Sequence, residues 1–279
     1  MTKFRMPYII HNGTKLHYRV LGEGTQPLLA FHGYGQSSSY YLPMGHALGS
    51  DYTIYAFDLF FHGQSTLHKE NMPLDKDFLQ ELISLFLKKE KIDHFSLMGF
   101  SMGGKFALTL VERFPERIDE LFLIAPDGIK TSFWYNIATY PGWLQQLFKR
   151  TVLKPEPFFR LLNVLNRYNM IHKSLVRFAR FQMDSTEKRL RVYRSWIGFR
   201  ELNFDIREIV RLLNHKQVPV TMFLGEFDQI ISPKRVSVFI KALRKGELVV
   251  LKAGHSHLLQ EVAELLHAKK TGVVPPPKI

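Results

Sequence analysis

The chain has 279 residues, a formal net charge of +13, 46% hydrophobic residues and no cysteine. That length suits one domain with an insertion and a sizeable core, while the missing thiols exclude disulfides and thiolate chemistry. No run approaches the roughly 20 apolar residues of a membrane-spanning helix, and Met1 to Pro7 has no apolar leader segment, so a soluble cytoplasmic location is the expectation.

The first two strands are expected to form a hairpin about His11-Asn12-Gly13, because Asn-Gly suits a tight turn with positive φ. Leu28 to Phe31 reads as a strand running into His32-Gly33-Tyr34-Gly35, and Tyr52 to Phe57 as another. Phe78 to Leu87 places Leu79, Leu82, Ile83 and Phe86 on one helical face. His94 to Met98 reads as a short buried strand, Lys105 to Arg113 as a helix and Glu120 to Ile124 as the next strand. The alternation resumes with strands at Val220 to Leu224 and Leu248 to Leu251. Such alternation predicts an α/β fold with a mostly parallel central sheet flanked by helices. Residues 1–129 and 217–268 are assigned to this core, and 269–279, with three consecutive prolines, to a disordered tail.

Residues 130–216 differ in character: helical patterns, many aromatics, and 17 Lys and Arg against 6 Asp and Glu. Helices are expected from Phe133 through Leu147, over Phe158 to Met170, Ser174 to Met183 and Thr186 to Phe199. Trp134, Trp143, Phe148, Phe158, Phe159 and Trp196 are read as packing this insertion on itself. The basic residues are read chiefly as a solvated face. Lys188, Arg189, Arg191 and Arg194 are the candidate surface if part of that charge attracts anionic substrates. No nucleic-acid partner is expected.

The chemistry centres on Gly99-Phe100-Ser101-Met102-Gly103, between the His94 strand and the Lys105 helix. A serine on a sharp strand-to-helix turn projects its hydroxyl out of the sheet, and the glycines permit the turn. A serine hydroxyl is a poor nucleophile until an imidazole takes its proton, and the imidazole needs an anion to fix its tautomer. Asp228 and His255 each follow a strand end and supply those two types. Asp127 is a second candidate acid and His257 a second candidate base. The backbone N–H groups of Tyr34 and Met102 are assigned to an oxyanion hole, and His32 to a structural role. His255-Ser256-His257 lacks a third ligand at metal-binding spacing, so no metal and no cofactor are expected. Gly99 to Lys105 also satisfies G-x-x-x-x-G-K, but Phe106 stands where a phosphate-binding loop needs Ser or Thr to hold magnesium.

With these residues the sequence resembles the α/β-hydrolases of the esterase, lipase and C–C hydrolase type. The resemblance rests on His32-Gly33-Tyr34-Gly35, on Asp58 with Gly63-Gln64-Ser65, on the Ser101 turn, on Gly225 to Asp228 and on Gly254-His255, in the family's order of Ser, Asp, His. It covers the chain outside roughly residues 130–216, where the family carries a helical cap. Phe60-Phe61 departs from the Arg-Gly or Pro-Gly common there. The resemblance implies a serine hydrolase of small-molecule acyl substrates, most simply carboxylic esters. Thioester and C–C bond cleavage on the same residues are alternatives, as is a ligand-binding protein of this fold with an idle triad.

Overall fold

In the computed structural model, which describes residues 7–129, 142–168, 170–171, 176–177, 180–181, 183–231 and 233–272, eight strands form one sheet in the order β1-β2-β4-β3-β5-β6-β7-β8. β1 (Tyr8–His11) and β2 (Thr14–Leu21) make the expected hairpin, with Asn12 at φ 46 and Gly13 at φ 71. β2 pairs antiparallel with β4 (Tyr52–Phe57). From there β3 (Gln26–Phe31), β5 (Phe95–Phe100), β6 (Ile118–Ile124), β7 (Val220–Gly225) and β8 (Gly246–Leu251) are all parallel. Every residue of β5 is buried, as a central parallel strand covered on both faces requires.

The sheet's helices are α1 (Leu42–Leu48), α2 (Lys76–Glu90) and α3 (Gly103–Arg113). α2 buries Leu79, Leu82, Ile83 and Phe86, the face predicted from their spacing. Phe86 meets Phe57 and Tyr18 edge-on, and Phe31 stacks between Phe57 and Phe106. A buried polar cluster ties β2 to the loop after β4. Asp58 accepts from His17 Nδ1 at 2.8 Å, from the Ser38 N–H at 2.6 Å and from the Gln64 N–H at 2.9 Å. Burial alone would raise the Asp58 pKa, but these donors hold it well below the usual carboxylate range.

The chain divides into two compact units. The first holds residues 1–71, 76–130 and 202–279, and contains the whole sheet. The second holds residues 72–75 and 131–201. Among its described elements are the helices α4 (Gly142–Leu153), α5 (Glu156–Arg167) and α6 (Thr186–Gly198). α6 starts on the Ser185 hydroxyl, which accepts the Lys188 N–H, and packs against α4. The Leu74 N–H donates to the Gly198 carbonyl at 2.7 Å, which ties residues 72–75 into this unit.

Residues 202–216, grouped with the insertion on composition, belong to the sheet unit. There α7 (Ile206–His215) buries Ile209 and Leu213 and packs on α3. Lys269 to Thr271, assigned to the tail, are helical. α9 (Leu258–Thr271), which follows α8 (Pro233–Lys241), continues through Lys269, ends on Gly272 at φ 68, and pairs Lys270 with Asp51 at 2.5 Å. Three members of the basic cluster have partners, and the fourth, Arg194, is exposed. Lys188 pairs with Asp184, Arg191 with Glu187, and the Arg189 guanidinium donates to the Val152 and Met183 carbonyls. Of the helix expected from Phe133 through Leu147, residues 142–147 fall in α4; its residues 133–141, half of Ser174 to Met183, and the side chains of Trp134, Trp143 and Phe148 lie outside the described residues.

Candidate active site

Ser101 sits between β5 and α3 with φ 50, a left-handed conformation that costs a non-glycine residue strain. Sterics around it account for the glycines. A Cβ on Gly103 would lie 1.8 Å from the Phe31 carbonyl oxygen, and one on Gly99 would lie 2.8 Å from the Gly103 oxygen. The strained backbone is held from both sides. The Ser101 N–H donates to the Ile124 carbonyl at 2.9 Å, and the Ser101 carbonyl accepts from Gly104 and Asp127, each at 2.8 Å.

Asp228 follows β7 and is 4% exposed. Its Oδ1 accepts the N–H groups of Ile230 at 2.7 Å and Ile231 at 2.9 Å. That leaves Oδ2 to accept from His255 Nδ1 at 2.6 Å. His255, in the loop between β8 and α9, is fixed in the tautomer whose Nε2 is an acceptor. Nε2 lies 2.9 Å from Ser101 Oγ. The two alternatives point elsewhere. Asp127 accepts the Gly128 N–H at 2.8 Å and faces Lys105 at 4.0 Å, while His257 is exposed beside the Ser256 hydroxyl.

Lys105 is 4% exposed, and burial lowers its pKa against the opposing Asp127 charge. A lysine so enclosed is ill placed to cradle a phosphate. Among the described residues no group of three or more His, Cys, Asp or Glu is arranged to hold a metal ion.

The loop carrying Tyr34 adjoins the Ser101 turn through the close approach of Gly103 to Phe31 and His32. It is closed by the Gly33 N–H on Gln36 Oε1 at 2.9 Å, and Gly35 takes φ 78. His32 is fully buried, donates Nδ1–H to the Gly33 carbonyl at 2.7 Å and accepts the Leu59 N–H on Nε2 at 3.0 Å. Burial drives its pKa down to about 4, with the Gly33 hydrogen bond and Asp58 opposing. It is a neutral structural tie. Met102 is the residue that precedes α3, so its N–H stands at the head of that helix.

Sequence reasoning missed three contributors. The Phe100 ring lies 5.2 Å from the His255 imidazole, and Tyr40 stacks on Phe100 at 5.6 Å. The Tyr40 hydroxyl donates to the Ser256 carbonyl at 2.5 Å and also bonds the Gln36 side chain. Gln36 and Tyr40 thus join the Tyr34 loop to the His255 loop. The Tyr40–Ser256 contact spans 216 positions, so no local pattern announces it.

Comparison with known proteins bears on the same region. The model of the family described as "alpha/beta hydrolase fold" matches residues 26–262. A dihydrolipoyllysine-residue acetyltransferase component of the acetoin cleaving system from Pseudomonas putida is 34% identical over 108 residues, 39% of this chain but 29% of that protein. The chain thus spans under a third of that relative's length. A pimeloyl-[acyl-carrier protein] methyl ester esterase from Wigglesworthia glossinidia brevipalpis is 25% identical over 259 residues, 87% of this chain and 91% of that one. Among solved structures, a thermophilic esterase from Thermogutta terrifontis superposes with a TM-score of 0.67 at 17% identity, covering 96% of each chain, which is a likeness of fold. The family match spans β3 to β8 and all three residues of the Ser101, Asp228 and His255 line, and the chain belongs to the alpha/beta hydrolase fold family.

Proposed function

We propose that this chain is a serine hydrolase that cleaves carboxylic esters of small acyl substrates through an acyl-enzyme. The observation that carries the reading is the continuous line from Asp228 Oδ2 through both nitrogens of His255 to Ser101 Oγ, with links of 2.6 and 2.9 Å. Ser101 Oγ attacks the ester carbonyl while His255 Nε2 takes its proton. The Asp228 carboxylate orients the ring and stabilises the imidazolium. The N–H groups of Tyr34 and Met102 receive the developing oxyanion, an interaction usually worth several kcal/mol in the transition state. Nε2–H then protonates the leaving alcohol. A water deprotonated by the same nitrogen attacks the acyl-enzyme and releases the acid, restoring Ser101.

The esterase named among the full-length relatives supports an ester over other acyl bonds. The test is a panel of chromogenic acyl esters from C2 to C16, run on the parent and on Ser101→Ala. Turnover of one or more esters is expected, with kcat lower by about 10⁶-fold in the variant. A parent inert to every ester but active on thioesters would move the reading to a thioesterase. Ligand binding without turnover of either would make the chain a receptor.

A further inference from the structure

Helix α5 leaves an apolar face in solvent. None of its twelve residues is buried. Leu161 is 55% and Val164 50% exposed, and Tyr168, just past the helix end, is 71% exposed. Spaced three and four apart, they form a single stripe, with half-buried Phe158, Leu162 and Leu165 beside it. Arg160 and Arg167 rise on the flank, both exposed, and the helix has one acid, Glu156, in its first turn. A further cation lies against the same helix: Arg180 donates to Asn163 Oδ1 at 2.7 Å and stands 5.7 Å from the Phe159 ring. Residues 131–201 hold 13 Lys and Arg against 4 Asp and Glu.

We propose that α5 seats this protein on an anionic lipid surface. The helix would lie in the plane of the interface, its stripe among the upper acyl carbons and its arginines at the phosphates. A wide apolar face, basic flanks and a single acid are the physical requirements for such a helix. With twelve residues it is about 18 Å long, far short of a bilayer core of about 30 Å. Among the described residues no helix is long and apolar enough to cross a membrane. Charge decides between occupants. A second copy would set this basic surface against an identical one, whereas anionic headgroups complement it, with each basic residue near the surface strengthening attachment about fivefold.

The inference does not rest on the hydrolase reading, because attachment is measured equally well on Ser101→Ala. The experiment is co-sedimentation of the full chain with vesicles of phosphatidylcholine alone and of phosphatidylcholine mixed with phosphatidylglycerol, at low and high salt. Attachment to the mixed vesicles is expected to be tenfold or more stronger, and to weaken with salt, roughly as these cations are screened. Arg160→Gln with Arg167→Gln should weaken it by about 25-fold, and Leu161→Asp with Val164→Asp should abolish it while circular dichroism and Tm stay put. Should the paired Asp variant lose its fold, Tyr168→Ser keeps the test open and must weaken attachment on its own. Three results would overturn the proposal: no sedimentation with mixed vesicles at low salt, attachment undiminished in the apolar-face variants, or a change in oligomeric mass in those variants without lipid.

Discussion

α3 and α5 are helices of eleven and twelve residues with opposite surroundings. α3 buries nine of its residues, from Gly103 to Val111, and α5 buries none. Both carry an apolar stripe at helical spacing, so periodicity foretells a face and not what the face meets. α3 begins on the Ser101 turn, where β3, β5 and β6 fix the backbone on every side, and the geometry there has no slack. α5 stands in the inserted unit, with its stripe in water. The difference separates a region built to hold atoms in place from one whose surface is shaped for something outside the chain.

The sharpest way to break that contrast is at the acid. Asp228→Asn keeps the shape but forces His255 into the wrong tautomer, so kcat on the preferred ester should drop by about 10⁴-fold. Asp127→Asn should cost far less, because the Asp127 carboxylate accepts the Gly128 N–H and faces Lys105. The reverse ranking would move the acid to Asp127.

Stability offers the next test. Leu110, fully buried on α3, should cost about 2–5 kcal/mol when cut to Ala, through lost burial and the cavity left behind. Leu161→Ala on α5 should stay within about 0.5 kcal/mol. Urea unfolding of the two variants checks both, and equal losses would mean that α5 has a partner within the chain.

Acid should loosen the sheet unit by a route that His32 provides. Its folded pKa, about 4, lies below the ordinary histidine value of 6.5, so the unfolded chain takes up the proton first. The stabilising contribution is complete above pH 6.5 and declines as pH falls towards 4, by up to about 3 kcal/mol. Asp58 acts lower. Its folded pKa is depressed, so its contribution is complete above the ordinary carboxylate value and fades as pH falls below it. Urea midpoints at pH 7 and 5 should differ in the parent and differ less in His32→Gln. Parallel pH dependence in the two would remove His32 from that role.

The smallest expected effect is at Tyr40. Tyr40→Phe keeps the stack on Phe100 but loses the hydrogen bonds to Ser256 and Gln36. A net hydrogen bond of about 0.5–1.5 kcal/mol predicts a fall of roughly two- to tenfold in kcat/KM, with Tm little changed. A loss confined to KM would argue that Tyr40 touches substrate instead of steadying His255.

Legibility in the sequence followed the reach of each constraint. The Ser101 turn was readable because Gly99 and Gly103 are dictated by backbone contacts within a few residues and with β3. Asp228 and His255 drew attention because a parallel strand running into a chemistry-bearing residue is a local pattern. The parallel sheet followed from the alternation, and the hairpin from Asn12-Gly13. What escaped was non-local. Nothing near Tyr40 indicates a partner more than two hundred positions away. Charge counting grouped α7 with the insertion because Arg207, Arg211 and Lys216 share its composition, whereas Ile209 and Leu213 pack it on the sheet unit. The same counting offered Lys188, Arg189, Arg191 and Arg194 as a candidate surface, and composition could not show that the first three each have an acid or a carbonyl within reach while Arg194 is exposed.

The central claim is that Ser101 is a nucleophile activated by His255. Covalent labelling tests it most directly. The parent is treated with a fluorophosphonate probe, and the adduct is located by peptide mass spectrometry. The account predicts a single adduct on Ser101, formed far more slowly in His255→Ala. Labelling at another serine, or unchanged labelling of Ser101 in His255→Ala, would contradict it.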